Sequence, residues 1–236
     1  MDISYFIFLS SGLFLGWSLG ANDAANVFGT AVGTKMVRFK TAAVIASVFI
    51  IIGAVFAGAG ASRTLEELGS VNALPGAFMV ALSAAIAVYM MVNSSIPVST
   101  TQAIVGSTVG WNFYSGHETD MSILAKIVST WVICPLLAAA IATLLYLLIK
   151  CILKRSKLHL ISQDLYTRLG LIAACAFGAY ALGANNIANV MGVFVESAPF
   201  HPITAGRLTF SSTQILFFIG GLAISSGVFT YSHKII

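Results

Sequence analysis

Gly20-Ala21-Asn22-Asp23-Ala24-Ala25-Asn26 and Gly183-Ala184-Asn185-Asn186-Ile187-Ala188-Asn189 stand 163 residues apart in a chain of 236. At that spacing Phe14, Leu19, Gly20, Ala21, Asn22, Ala25, Asn26, Val27, Gly29 and Val32 meet the same residue types at Phe177, Leu182, Gly183, Ala184, Asn185, Ala188, Asn189, Val190, Gly192 and Val195. Ten identities in nineteen positions make this an internal repeat. Each copy lies in a stretch almost free of charge, so the repeated unit is a membrane-crossing segment rather than a piece of a soluble domain.

Only 8% of the residues are Asp, Glu, Lys or Arg, 58% are hydrophobic and the mean hydropathy is +0.94. A soluble domain carries roughly 25% charged residues, so a soluble enzyme is excluded. Charge-free runs at 3–22, 41–62, 74–116, 127–149, 169–195 and 208–233 each reach the ~20 residues that span a bilayer. The chain reads as an all-α, polytopic integral membrane protein. The net charge of +4 concerns orientation, not nucleic acid, because the basic residues sit between apolar segments. Asp2 in place of a basic leader, and an apolar run longer than a signal's, predict that the first segment is retained as a helix.

Lys35, Arg38 and Lys40, and then Lys150, Lys154, Arg155, Lys157 and Arg168, mark two cytoplasmic connections. The stretches 62–73, with Arg63 against Glu66 and Glu67, and 117–121, with Glu118 and Asp120, then face outward. Helix one therefore runs inward, and the helix carrying the second copy runs outward. Such an inverted-topology repeat is the frame of many secondary transporters, which bind substrate and coupling ions at the repeat interface near mid-membrane.

The 43 residues from 74 to 116 must enter and leave on one side. In their middle, Asn93-Ser94-Ser95-Ile96-Pro97-Val98-Ser99-Thr100-Thr101-Gln102 places hydroxyls, amides and a proline where lipid offers no hydrogen bonds. A broken helix forming a re-entrant hairpin at about 93–113 is expected. The first repeat unit then spans 1–150, a basic cytoplasmic loop 151–165, and the start of a second, incomplete unit 166–236. A complete pair would continue by another half-repeat, so the chain reads as partial or as completed by a second chain.

Asp23 in mid-helix costs ~2.5–3.5 kcal/mol on insertion scales and calls for a proton, a partner or a cation. No Lys or Arg lies at its depth. Asn22, Asp23 and Asn26 supply the oxygens a hard cation such as Na⁺ takes, with Asp23 as the charged ligand and its position repeated as Asn186, which keeps an oxygen ligand. Gly20 and Gly29 would tolerate an unwound turn adding backbone carbonyls. The alternative reading of these small residues is close helix packing. In the hairpin, a half-helix starting near Pro97 would set Ser99, Thr100, Thr101 and Gln102 at a positive dipole end suited to an anion; a kinked helix whose hydroxyls bond back to their own carbonyls is the alternative. Cation ligands in one motif and an anion cradle in the other describe ion-coupled anion uptake.

With these motifs the chain resembles the inorganic phosphate transporter family, whose marks are a duplicated GAND-type motif and a PVSTT-type hairpin. They stand here as Gly20–Asn26, Gly183–Asn189 and Pro97–Gln102 followed by Ala103-Ile104-Val105-Gly106. The resemblance implies inverted repeats with two re-entrant hairpins and a symporter of inorganic phosphate, coupled to Na⁺ or H⁺, in the cell membrane. It also links Asn22, Asp23, Asn26, Asn185 and Asn189 to ions and substrate, and Ser99, Thr100 and Thr101 to the substrate hairpin. Two departures bear on coupling. Asn186 stands where the family usually repeats the Asp, and Gln102 stands where many relatives carry a His that could titrate near neutrality. Both tilt the expectation toward Na⁺.

Sulfate or another tetrahedral oxyanion is the near rival, since hydroxyls and N–H groups read shape and charge alone. A non-transporting assembly subunit is a second rival. An intramembrane enzyme is disfavoured, because the spans hold one acid and no histidine cluster. Cys134, Cys151 and Cys175 sit in or beside apolar segments and suggest packing. His117, His159, His201 and His233 read as loop or helix-end residues. No cofactor is expected beyond the coupling ion; the partners are phosphate, Na⁺ and the bilayer, with a homo-oligomer left open.

Overall fold

The structure is a computed structural model, and it describes residues 3–60, 74–94, 96, 98–155, 159–196, 198, 200–205 and 208–232. The expectations resting on the 62–73 loop, Pro97, Lys157, His233 and Lys234 lie outside these residues. Among the described residues seven long helices follow one another: α1 (Ile3–Gly33), α2 (Phe39–Ala57), α3 (Leu74–Asn93), α4 (Thr100–Ser115), α5 (Met121–Arg155), α6 (Leu160–Met191) and α7 (Ser212–Thr230). Of these, α2, α3, α5, α6 and α7 are long and apolar enough to cross a membrane by length and composition.

Helix direction follows from which residues meet. Gly12 of α1 lies against Val190 at the end of α6, whereas Val27 approaches Gly178. Ascending numbers on one helix meet descending numbers on the other, so the two copies of the repeat are antiparallel. The inverted topology read from the charges is present in the packing.

The two copies do not pack mainly on their own neighbours. α1 runs alongside α7, and α6 runs alongside α2, each pair parallel. Gly20 faces the Ile224 carbonyl and Gly227 the Trp17 carbonyl; in the other pair Gly183 faces the Ile50 carbonyl and Gly53 the Tyr180 carbonyl. A Cβ at any of the four would collide with that backbone oxygen. Trp17 and Tyr180 are 163 positions apart, as are Gly20 and Gly183, so these contacts repeat the sequence symmetry. The partner glycines, Gly53 and Gly227, are offset by 174 instead. The extra residues lie in the α6–α7 connection, which carries a short 3₁₀ turn (Gly192–Phe194) and an antiparallel hairpin of β1 (Ile203–Ala205) and β2 (Leu208–Phe210). Ile203 pairs with Phe210, and both line an apolar cavity with Val55 and Phe218. This β-hairpin is not foreseen by the helical reading; three residues per strand are too few to register as an alternating pattern.

Close approach of these helices corrects one expectation. α1 and α6 are continuous through both motifs, so no unwound turn supplies backbone carbonyls. Gly20 and Gly183 serve interhelical contact, the small-residue packing that apolar surroundings favour. Buried alanines, among them Ala21, Ala43, Ala46, Ala54 and Ala184, continue the same close interface.

α3 runs parallel to α1, with Phe8 against Phe78 (ring centroids 5.9 Å) and Phe14 against Tyr89 (5.8 Å). The chain then breaks, and α4 folds back along α3. A cavity of about 520 Å³ between them is lined by Pro75, Met79 and Ser83 of α3 and by Ser107, Trp111 and Tyr114 of α4. The hairpin is therefore re-entrant, with its two arms at 74–93 and 100–115 and its tip between them. The half-helix starts at Thr100, not near Pro97, because Ser99 is extended (φ −83°, ψ 112°) and its Oγ accepts from the Gln102 N–H as an N-cap.

α5 carries no buried residue, and only its opening turns, through Ile123, Leu124, Ile127 and Trp131, touch the core. It continues to Arg155, and α6 begins at Leu160 with His159 as N-cap. Of the stretch 151–165 expected as a basic loop, 151–155 are thus the end of α5 and 160–165 the start of α6. Nothing between 150 and 155 breaks a helix, and Lys154 and Arg155 in the last turn suit its negative dipole end.

Candidate functional site

The hairpin tip ends beside the middle of α1. Asn22 is buried, and its Nδ2 donates both to the Val98 carbonyl (2.8 Å) and to Asp23 Oδ1 (2.7 Å). The Val98 N–H donates back to Asn22 Oδ1 at 3.4 Å. From Asn22, eleven residues of α1 remain, about 16 Å at 1.5 Å per residue, so the tip stops well short of the far end of the bundle.

From the other side α6 holds the start of α4. Asn189, also buried, donates from Nδ2 to Thr101 Oγ1 and to Asn186 Oδ1, both at 2.9 Å. The first copy of the repeat thus grips the tip at Val98 and the second grips the first turn of α4 at Thr101.

Between the two grips lies a polar cavity of about 430 Å³ lined by Asn22, Asp23, Asn26, Val98, Ser99, Thr100, Thr101 and Asn186. Asp23 is half-buried there and Asn26 exposed to it. Asp23 forms no ion pair among the described residues, where the single salt bridge is Arg168 to Asp164 on the surface of α6. Thr100 is 3% exposed, and its hydroxyl finds no hydrogen-bond partner among the described residues. Beside it, the first backbone N–H groups of α4 have no carbonyl four residues back to bond. The lining therefore combines oxygen-rich side chains from α1 and α6 with donors at the positive end of α4.

A second cavity, about 610 Å³, adjoins the first through Ser99, Thr101 and Asn186 and extends along Gln102, Asn185 and Asn189 to Thr130, Trp131, Cys134 and Pro135 of α5. Not all expected site residues share one space. Asn185, Asn189 and Gln102 line only this larger cavity, while Asp23 and Asn26 line only the smaller. Gln102 is exposed and reaches the N-cap through its backbone. The contribution of α5 is not apparent from the sequence, where Thr130 and Cys134 are isolated polar residues in an apolar run. The helical spacing of Ile127, Thr130, Trp131 and Cys134, one face of α5, is the signal that could have placed them. The cysteines are all free, Cys134 and Cys151 exposed and Cys175 buried, and among the described residues no cluster of His, Cys, Asp or Glu could hold a metal.

Fold and site together define an integral, multi-pass membrane protein in which inverted repeats clasp a re-entrant hairpin. The chain belongs to the phosphate transporter family, whose model matches residues 19–163. It is 26% identical to a provisionally named phosphate permease of Methanocaldococcus jannaschii, over all of this chain and 69% of that one. It is 35% identical to sodium-dependent phosphate transporter 1 of Mus musculus, over 58% of this chain and 22% of that one. A solved structure titled "The sodium-dependent phosphate transporter" shares the fold, with a TM-score of 0.76 at 20% identity over 98% of this chain and 76% of that chain.

Proposed function

We propose that this protein carries inorganic phosphate across the cell membrane together with Na⁺, by alternating access around the hairpin tip. The observation that carries the reading is the shared polar cavity. It brings into one lining the Asp23 carboxylate, without a cationic partner among the described residues, and the buried Thr100 hydroxyl at the start of α4, without a hydrogen-bond partner among them. A cation at Asp23, helped by the amide oxygens of Asn26 and Asn186, would balance the intramembrane charge. A phosphate oxygen at Ser99, Thr100 and Thr101 would satisfy the first-turn donors. Bringing the two ions close together lets each offset the desolvation of the other, which is the physical basis for coupled entry.

Family membership and the sodium-dependent relatives support phosphate and Na⁺ respectively. The two grips on the hairpin, one from each inverted copy, supply an element that rocking of one repeat against the other would move. The test is uptake of radiolabelled phosphate into proteoliposomes with and without an inward Na⁺ gradient, for the unsubstituted chain and Asp23→Asn. Na⁺-dependent uptake that collapses in the variant is expected. Uptake driven equally by a proton gradient alone would remove Na⁺ from the reading, and carriage of sulfate without phosphate would remove the substrate.

A further inference from the structure

We propose that Asn22 is a positioning residue that ties the Asp23 carboxylate to the hairpin tip, so that a cation arriving at Asp23 loosens the tip. The inference deepens the symport reading above and rests on it for the identity of the cation. Its ground is the hydrogen-bond inventory of one side chain. An amide nitrogen carries two hydrogens, and those of Asn22 are both used, at 2.8 Å on the Val98 carbonyl and 2.7 Å on Asp23 Oδ1. Its oxygen accepts the Val98 N–H. Both acceptors face the nitrogen end, so this arrangement fixes the amide's orientation and uses both of its donors. Asn22, 6% exposed, thus commits its whole nitrogen end and one lone pair of its oxygen to protein groups.

The consequence is a shared donor. The carboxylate holds one N–H and thereby locks the amide plane in which the other N–H meets Val98. A cation on Oδ1 repels that N–H, since both present positive charge to the same oxygen. The amide then loses the anchor that fixed its plane, and its two bonds to Val98 are free to break as the side chain turns. Val98 is followed directly by Ser99, Thr100 and Thr101, so release at Val98 moves the proposed anion cradle. In the second repeat a link of this kind falls to a different residue and carries no charge: Asn185, the counterpart of Asn22, is exposed and lines the larger cavity, and Asn189 donates to Asn186 Oδ1 and to Thr101 Oγ1 instead.

The test reads the tip rather than transport. Ile96, exposed at 48% in the tip, is replaced by cysteine, and maleimide labelling at position 96 is followed by peptide mass mapping, which separates it from Cys134, Cys151 and Cys175. The full chain is reconstituted in liposomes in NaCl or in choline chloride. Na⁺ is expected to speed labelling about fivefold, the effect of losing roughly one ordinary hydrogen bond. In Asn22→Ala, labelling is expected to be fast in both salts. In Asp23→Asn, which keeps an oxygen acceptor for the amide and removes the charge, it is expected to be slow in both; this variant decides the matter if Asn22→Ala does not fold. Labelling insensitive to Na⁺ in the otherwise unsubstituted chain, or a Na⁺ response that survives in Asn22→Ala or in Asp23→Asn, would overturn the proposal. Phosphate uptake measured on the same vesicles reports separately on the symport reading.

Discussion

Asn189 on α6 reaches Thr101 on α4 across 88 positions of sequence, its Nδ2 lying 2.9 Å from the threonine hydroxyl. Since the same nitrogen holds Asn186 Oδ1, one side chain sets both a donor of the proposed anion cradle and an oxygen of the proposed cation site. Asn189→Ala is expected to raise the KM for phosphate about fivefold and to lower apparent Na⁺ affinity as well, with a smaller change in maximal rate. The figure follows from about 1 kcal/mol for one hydrogen bond. Uptake measured over a matrix of phosphate and Na⁺ concentrations checks it; a change in maximal rate alone would argue against the shared role.

Thr100 offers a cleaner separation of binding from stability. Its hydroxyl is buried without a partner among the described residues, so Thr100→Val, nearly the same in shape, removes a desolvated polar group. Thermal stability in detergent is expected to hold or rise, while phosphate uptake falls. A loss of both together would mean that the hydroxyl stabilises the fold.

The four glycine crossings predict a sharp positional effect. Gly20→Ala and Gly183→Ala each drive a methyl group into a neighbouring backbone carbonyl and are expected to cost about 1–3 kcal/mol, the usual range for overpacking. Gly170 lies on the same helix as Gly183, but a methyl group there would meet nothing within 4 Å, so it serves as the control. Gly170→Ala is expected to be neutral or stabilising by up to about 1 kcal/mol. Melting temperatures of the purified variants decide it.

At the start of α5, Asp120 caps the helix. Its Oδ1 accepts from the Ser122 hydroxyl (2.7 Å), the Ser122 N–H (2.8 Å) and the Ile123 N–H (3.2 Å). The hydroxyl bond first, then the two backbone bonds, hold the carboxyl below the usual aspartate range. Because the folded value is depressed, the stabilisation is complete above the unfolded value, near 3.9, and is lost as pH falls through the folded one. The melting temperature of Asp120→Ala is expected to lie below that of the unsubstituted chain at pH 6, and the gap to close in more acidic buffer.

How far the sequence reveals this molecule depends on how local each signal is. The GAND-type pair and the polar stretch at 93–102 are short, contiguous and chemically out of place in apolar runs, so the inverted repeat and the re-entrant break can be read directly. The partners of those residues cannot. That α1 packs on α7 and α6 on α2 is decided by contacts about 200 and 130 residues apart, and no periodicity in one helix names the helix it faces. For the same reason Gly20 invites two readings in the sequence, an unwound turn or a close crossing; only the Ile224 carbonyl beside it selects the second. The wall contributed by Thr130 and Cys134 is hidden in the same way. Asn22, by contrast, is found as a site residue from sequence, but its amide bonds to Val98 assign it a different task from the one its chemistry suggests.

The exchange of partners between the repeats also sets the order in which the protein can be completed. α1 leaves the ribosome with its Gly20 face bare, and the helix that fills it arrives about 200 residues later, roughly 10–40 s at ordinary synthesis rates. Until then the Gly20 face of α1 and the Gly53 face of α2 lack the helices that cover them in the finished fold. Assembly of this protein in the cell therefore depends on keeping those glycine faces from neighbouring proteins until α6 and α7 have inserted, and a chain stalled after α5 would hold two open grooves with nothing of its own to close them.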